Sequence, residues 1–172
     1  MKTEYLLQHE VELVLAALMP VNRLILRTML HTGLRVGDVL ALRTDQIKPR
    51  FWVKEAKTGK SRLVGLTEEL RRDLLEQAGR VYVFEHRTDP TKHRCRQAVW
   101  KDLNRAARAF RLPQNIGTHS ARKVYAVELL HKYGDIDKVR RALNHERTEV
   151  TLIYALADAQ LAAKYKKPRR GH

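Results

Sequence analysis

The segment Gly117-Thr118-His119-Ser120-Ala121-Arg122-Lys123 is the most informative stretch of this chain for the fold, and three further pieces belong with it. These pieces are Leu143-Asn144-His145, Tyr154, and Arg35 at the end of Thr32-Gly33-Leu34-Arg35. His119 and Arg122 stand three residues apart, so in a helix both side chains face the same side. Two guanidinium groups, two imidazoles and a phenol suit covalent attack on a phosphodiester without a metal ion, because a guanidinium fork binds two nonbridging oxygens at once.

Each of these signals, taken alone, has a less specific explanation. A single His-x-x-Arg pair is usually a solvated helix face, and a tyrosine with leucine and isoleucine neighbours, such as Tyr154, is usually a core residue. The two imidazoles would also serve as zinc ligands, but no cysteine or carboxylate stands at a ligand spacing near them. A metal-dependent nuclease needs clustered carboxylates. The aspartates are instead scattered through the predicted helices, at Asp38, Asp73, Asp102 and Asp135. We therefore expect no metal site and no cofactor.

Charge is the strongest compositional feature. The formal net charge of the 172 residues is +15, which implies a polyanionic partner. From charge alone, nucleic acid, ribosomal RNA and an anionic membrane face all remain open. A membrane role is disfavoured, because no apolar run approaches the roughly 20 residues that a membrane helix needs. Nor does any predicted helix set a basic face against a bulky aromatic one.

The start of the chain and the cysteine count bear on the compartment. Met1-Lys2-Thr3-Glu4 leads into an acid-bearing amphipathic segment and does not resemble a signal peptide, so we expect a cytoplasmic protein. The single cysteine, Cys95, excludes an intramolecular disulfide and gives no metal cluster.

Hydrophobic periodicity predicts a mainly α fold with a small antiparallel β-sheet, that is, an α+β protein. The predicted helices cover residues 10–19, 21–31, 36–42, 68–77, 96–110, 119–133, 136–143 (capped by Asp135) and 149–157. Two strand-like segments, residues 51–55 and 62–66, flank a hairpin tip at residues 57–60. A third, shorter strand is expected near residues 46–48. Thr67 should cap the fourth helix, because its hydroxyl can accept a backbone N–H of the first turn.

Taken in order, these pieces resemble the catalytic domain of the tyrosine recombinases, the phage-integrase superfamily. The resemblance rests on residues 32–43 (TGLRVGDVLALR), residues 57–64 (KTGKSRLV), His119-Ser120-Ala121-Arg122, Leu143-Asn144-His145 and Tyr154. It covers nearly the whole chain. The segment at 117–123 together with Leu143-Asn144-His145 is most similar to small, single-domain integrase-like proteins of bacteria and their phages.

The resemblance implies a role for each matching residue. Tyr154 would attack the scissile phosphate and form a 3′-phosphotyrosyl bond. Arg35 and Arg122 would hold the nonbridging oxygens, and Lys57 would protonate the departing 5′-oxygen. The remaining implied roles are proton acceptor or donor for the tyrosine (His119), hydrogen-bond donor to the phosphate (His145) and support of the active-site geometry (Asp38).

The implied function is that of a site-specific DNA recombinase, or integrase, which acts without metal or nucleotide. Two alternatives remain: a catalytically silent DNA-binding protein of the same fold, and a DNA relaxer similar to the type IB topoisomerases. Double-stranded DNA is the expected partner. The expected DNA contacts are Lys54, Lys60 and Arg62 on the hairpin and Arg94, Arg96, Gln97 and Lys101 near the start of the long helix.

The sequence departs from the usual family pattern in several places. Asn144 stands where glycine is common, Lys123 stands where a second histidine often follows the arginine, and Asp38 is shorter than the usual glutamate. None of these differences removes a catalytic group, so we expect activity.

We expect residues 1–172 to form one catalytic domain without a separate N-terminal core-binding domain, because only about two predicted helices precede Arg35. The chain is then either a naturally short recombinase or an excised catalytic domain. The resemblance implies a homotetramer on DNA, with a monomer as one alternative for the free protein. Residues 158–172 are expected to be either an exchange helix, which docks on a neighbouring subunit, or a frayed tail.

Overall fold

The computed structural model describes residues 6, 8–112 and 116–144. The helices are α1 (Gln8–Ala17), α2 (Pro20–Thr32), α3 (Val36–Leu40), α4 (Glu68–Gln77), α5 (Arg96–Ala109), α6 (Thr118–Tyr133) and α7 (Ile136–Ala142). The strands are β1 (Arg50–Lys54) and β2 (Ser61–Gly65), and a short 3-10 helix (Thr44–Gln46) precedes β1. The predicted mainly helical fold with a small antiparallel sheet is confirmed. The chain divides into two compact units, Met1–Tyr125 and Ala126–His172. The predicted helix at 149–157 and the tail at 158–172 lie outside the described residues.

Helix α2 leads directly into the segment that carries Arg35. Pro20 opens the helix, where its fixed φ and missing N–H are well tolerated. Gly33 follows its last residue with φ +65°, and its N–H bonds to the carbonyl of Met29 at 2.8 Å. This left-handed cap is a common way to end a helix and redirect the chain. The chain therefore turns at Gly33, and Arg35 follows this turn between the buried residues Leu34 and Val36.

The sheet is one antiparallel pair whose two faces differ in burial. Its register runs from Arg50 opposite Gly65 to Lys54 opposite Ser61. Side chains alternate between the faces along a strand. The inner face buries Phe51, Val53 and Val64 in the core, and the outer face leaves Trp52 and Leu63 exposed.

The third strand expected near residues 46–48 is wrong, because these residues have other backbone partners. The backbone turns into the 3-10 helix, in which the N–H of Gln46 bonds to the carbonyl of Arg43 at 3.1 Å. The N–H of Ile47 bonds to the carbonyl of Thr44 at 3.3 Å. Pro49 follows and has no N–H to donate to a ladder.

The first unit is organised around a core to which helices and sheet contribute together. Its largest fully buried side chains include Phe84, Ile25, Met29, Leu34, Leu40, Leu42, Leu74 and Leu103. Asp102 of α5 ties that helix to the start of α2, since its Oδ2 accepts the N–H of Met19 at 2.9 Å and the amide of Asn22 at 2.7 Å. The expected cap of α4 is confirmed, because the Thr67 hydroxyl accepts the N–H of Leu70 at 3.3 Å.

The second unit contains α7 and the later part of α6. Asp135 caps α7 by accepting the N–H groups of Asp137 at 2.9 Å and Lys138 at 3.2 Å. Val139 and Leu143 are buried. Among the described residues, no helix combines the length and the apolar character that crossing a membrane requires.

Candidate active site

Arg35 directly precedes α3, and its side chain is held by a buried carboxylate that was not predicted from the sequence. Its side chain is 17% exposed, and its Nη1 pairs with Oε2 of Glu55, whose side chain is fully buried. Glu55 directly follows β1 and continues the alternation of Phe51 and Val53, which both point inward. That period of two is a signal that could have identified Glu55 as an inward-facing acid.

Arg122 is anchored on the backbone next to Arg35. Only 4% of Arg122 is exposed, and its Nη1 donates to the carbonyl of Gly33 at 2.7 Å. Arg35 and Arg122, the two arginines predicted to act together, therefore meet at the short segment of residues 33–35, although α6 and α2 are far apart in sequence.

Gly33 lies against Tyr125 of α6 with no room for a side chain. A β-carbon at Gly33 would lie 2.3 Å from Cδ1 of Tyr125, which real β-carbons essentially never do. Tyr125 follows Arg122 by three residues on the same helix, so it faces the same side. Glycine at this position thus allows both the turn after α2 and the close packing of α6 that lets Arg122 reach the Gly33 carbonyl. The sequence showed Gly33 as a turn residue but contained no signal for its contact with Tyr125.

Lys57 lies exposed in the loop between β1 and β2, and Asp38 of α3 helps to hold that loop. The loop is closed by the N–H of Glu55, which bonds to the carbonyl of Lys60 at 2.9 Å, and by the N–H of Gly59, which bonds to the carbonyl of Glu55 at 2.8 Å. Oδ1 of Asp38 accepts the N–H of Ala56 at 2.9 Å. The residue before Lys57 is therefore bonded to the helix that follows Arg35.

His119 lies at the first turn of α6, exposed as a residue but with a partly desolvated ring. This partial burial lowers the pKa of His119, and the positive charges of Arg122, Lys57, Arg35 and Arg96 lower it further. The neutral imidazole is therefore favoured at neutral pH, and a neutral imidazole can accept a proton.

Arg62 differs from its predicted role as a DNA contact on the hairpin surface. Its side chain is only 10% exposed; Nη2 donates to the carbonyl of Thr32 at 2.5 Å, and Nε lies 3.5 Å from Oε1 of Glu55. Burial lowers the pKa of Arg62, although Tyr125, Glu55 and Asp38 act in the opposite direction. The physical reason is register, since Arg62 shares the inner face of β2 with the buried Val64.

The other predicted DNA contacts fall into two exposed groups. Lys54 and Lys60 lie at the loop end of the hairpin, and Arg96, Gln97 and Lys101 lie on the first turns of α5. Arg94 is only half-exposed, and its Nε donates to Oδ1 of Asn22 at 3.0 Å. His145 and Tyr154 lie outside the described residues.

Four predicted site residues thus come together in the first unit: Arg35, Lys57, His119 and Arg122. Two guanidinium groups and an ammonium group beside a neutral imidazole suit an anionic phosphodiester, because a guanidinium fork matches its two nonbridging oxygens. Within the described part of the chain, no three His, Cys, Asp or Glu side chains lie close enough together to hold a metal ion.

Comparison of the sequence with known proteins places it near integrases and recombinases. The profile of the phage integrase family matches residues 4–160. The integrase of Escherichia phage P2 is 31% identical over 155 residues, which are 90% of this chain and 43% of that protein. The probable integrase/recombinase YoeC of Bacillus subtilis is 29% identical over 143 residues, or 80% of this chain and 78% of that protein. The tyrosine recombinase XerD of Lacticaseibacillus casei is 30% identical, and the match covers 85% of this chain and 54% of that protein.

The fold is that of solved recombinase structures. The XerA recombinase superposes with a TM-score of 0.74 at 18% identity, over 96% of this chain and 65% of that one. The catalytic domain of bacteriophage HP1 integrase gives a TM-score of 0.69 at 21% identity and covers 96% of both chains. XerH bound to a palindromic difH substrate gives 0.71 at 22% identity, over 87% of this chain and 48% of that one.

Proposed function

Because this chain belongs to the phage integrase family, we propose that it breaks and rejoins DNA strands as a site-specific tyrosine recombinase. The observation that best supports this function is the convergence of Arg35, Lys57, His119 and Arg122, which come from three separate parts of the sequence. Cleavage of a phosphodiester needs charge neutralisation on the nonbridging oxygens, a nucleophile and a proton for the leaving oxygen. These residues and Tyr154 supply all three.

The two guanidinium groups bind the phosphate. Arg35 and Arg122 are both largely buried and held by fixed partners, so little freedom is lost when DNA binds. Each guanidinium has five N–H donors in one plane. Arg35 pairs with Glu55 and Arg122 donates to the Gly33 carbonyl, and in this proposal the two forks so positioned meet the two nonbridging oxygens.

In the cleavage step, the phenolic oxygen of Tyr154 attacks phosphorus and the bond to the 5′-oxygen breaks. The phenol proton passes to His119, whose lowered pKa keeps the imidazole neutral and ready to accept it. Lys57 gives its proton to the departing 5′-oxygen, and His145 donates a hydrogen bond to the phosphate. The product is a 3′-phosphotyrosyl bond and a free 5′-hydroxyl. Rejoining reverses these transfers and needs no nucleotide, since the covalent bond preserves the energy of the broken one.

The proposed partner is double-stranded DNA, bound in the cytoplasm by a homotetramer. Among the structural neighbours, XerH is bound to a palindromic difH substrate and a lambda integrase dimer is bound to a COC′ core site. We extend DNA binding to this chain because its net charge is +15. Residues 158–172 would dock on a neighbouring subunit.

A suicide substrate tests this function directly. A duplex nicked next to the cleavage site loses the short released strand, so the phosphotyrosyl complex accumulates and is resolved on a denaturing gel. The target sequence is first selected from a random DNA pool with the wild-type protein. We expect capture by the wild type in the presence of EDTA, and none by Tyr154→Phe, which retains DNA binding.

Tyr133→Phe is the matched control, because Tyr133 is an exposed tyrosine on α6 and the change removes the same hydroxyl. Capture by Tyr154→Phe would exclude this tyrosine as the nucleophile. Loss of capture in EDTA would point to a metal-dependent nuclease. Supercoil relaxation by the wild type without any site preference would favour the topoisomerase-like alternative, and DNA binding without capture would favour the silent binder.

A further inference from the structure

The carboxylate of Glu55 lies between two guanidinium groups. Oε2 pairs with Nη1 of Arg35, Oε1 lies 3.5 Å from Nε of Arg62, and the Thr58 hydroxyl donates to Oε2 at 3.3 Å. The side chain of Glu55 is fully buried. Burial of a carboxylate is strongly unfavourable unless the group is paired and hydrogen-bonded. The buried Glu55 carboxylate is therefore stable only together with these partners.

Glu55 also begins the loop that carries Lys57. Its N–H bonds to the carbonyl of Lys60 and its carbonyl accepts the N–H of Gly59, so both backbone groups of Glu55 close the loop. The side chain bonds to Thr58, the residue after Lys57. A single residue thus holds the Arg35 guanidinium with its side chain and the Lys57 loop with its backbone.

Arg62 gives the Arg35–Glu55 pair a net positive charge. A lone carboxylate beside Arg35 would cancel the positive charge that a phosphate needs. Arg62 supplies a second positive charge, so Arg35, Glu55 and Arg62 together keep one net positive charge. Arg62 is also bonded to the carbonyl of Thr32, on the same segment that carries Arg35.

We propose that Glu55, paired with Arg62, is a positioning residue that sets the Arg35 guanidinium and the Lys57 loop in one geometry toward the scissile phosphate. This inference depends on the proposed function, and Glu55 acts through Arg35 and Lys57 without touching the DNA. Both groups must meet a single phosphate, and a displacement of about 1 Å is enough to slow an enzymatic step by roughly 100-fold.

The test compares Glu55→Gln, Arg62→Gln and the double variant in the suicide-substrate assay at saturating DNA. Glutamine keeps the size of the Glu55 side chain and removes its charge, and at position 62 it removes the guanidinium group. We expect each single variant to slow covalent capture by roughly 10- to 100-fold while the Kd for uncleaved duplex changes by less than about threefold. The double variant should lose less than the product of the two single losses, because the groups act as a unit. Losses that multiply, or a Kd that weakens as much as capture, would overturn the proposal.

Glu69→Gln is the matched control, because Glu69 pairs with Arg27 at 2.9 Å but is 68% exposed on α4. Its capture rate should equal that of the wild type. If Glu55→Gln does not fold, Glu55→Asp keeps the charge and shortens the reach. Slowed capture at unchanged Kd in that variant supports positioning, and wild-type capture overturns it.

A second measurement separates this inference from the proposed function. The Nε–Hε resonance of Arg35 is followed by NMR while inorganic phosphate is titrated into the wild type and Glu55→Gln. We expect the variant to shift this resonance and to weaken its response to phosphate. An unchanged resonance and response overturn the positioning role even if wild-type capture succeeds. If the wild type captures no DNA, the proposed function fails while the NMR result still decides the role of Glu55.

Discussion

Replacing Gly33 with alanine introduces two separate strains at one residue. Gly33 has φ +65°, and an L-residue in this left-handed region costs about 1–2 kcal/mol. The new β-carbon would also lie 2.3 Å from Cδ1 and 2.4 Å from Cε1 of Tyr125, so the ring or α6 must move. Overpacking of this kind costs about 1–3 kcal/mol. We therefore expect Gly33→Ala to lower the free energy of unfolding by about 2–5 kcal/mol, a large part of the stability of an ordinary domain.

Urea denaturation followed by circular dichroism measures this loss, and Gly37→Ala is the matched control. Gly37 lies in α3 with open space where its β-carbon would be, and its φ is not positive. Alanine in a helix is favoured over glycine by about 0.5–1 kcal/mol, so Gly37→Ala should be neutral or stabilising.

A double-mutant cycle with Tyr125→Ala separates the two strains. Without the ring the clash is gone, so Gly33→Ala should then cost only the backbone term of about 1–2 kcal/mol. The difference between the two backgrounds is the coupling between Gly33 and Tyr125. Equal losses in both backgrounds would show that α6 does not pack against Gly33, and a loss no larger than that of Gly37→Ala would refute both strains.

Three further predictions concern pH, acid stability and salt. Because the pKa of His119 is lowered, covalent capture should persist as pH falls through about 6.5, the ordinary histidine pKa, and should decline only at lower pH. A decline centred above about pH 6.5 in single-turnover capture would contradict this. Burial opposes ionisation of Asp102, but hydrogen bonds from Asn22, Arg105 and the Met19 N–H outweigh it and lower the pKa. The stability it contributes is present above its unfolded pKa of about 3.9 and is lost as pH falls through the lower folded value. Asp102→Asn should therefore lower the free energy of unfolding by about 1–3 kcal/mol at pH 7, measured by urea denaturation, with a smaller difference at low pH. The control Asp45→Asn, at an exposed carboxylate, should have no effect. A loss that does not change with pH would show that the charge of Asp102 is not the cause. Affinity for duplex DNA should fall steeply with salt in a binding titration, since phosphate contacts release counterions, and a flat response would argue against those contacts.

Local patterns were sufficient for most of the secondary structure. Helix α4 begins and ends where the Thr67 cap and the apolar spacing predict, and the strands differ from prediction by one residue at each end. These features depend on neighbours in sequence, namely caps, side-chain periodicity and glycine turns. The expected third strand is wrong because Gln46 and Ile47 bond to the carbonyls of Arg43 and Thr44 in a 3-10 turn and do not pair with another strand.

The roles of the charged residues divide in a different way. From the order of the motifs alone, the sequence predicted Arg35, Lys57, His119 and Arg122 as the groups of one site. The alternation along β2 would have placed Arg62 on the inner face, but no local pattern shows that Glu55 lies between two arginines, because that contact depends on segments distant in the chain. The contact of Tyr125 with Gly33 arises only when α6 packs against the turn after α2. The residue types and their spacing were therefore determined by the sequence, whereas tertiary packing decided which charges are paired in the interior and which are exposed at the surface.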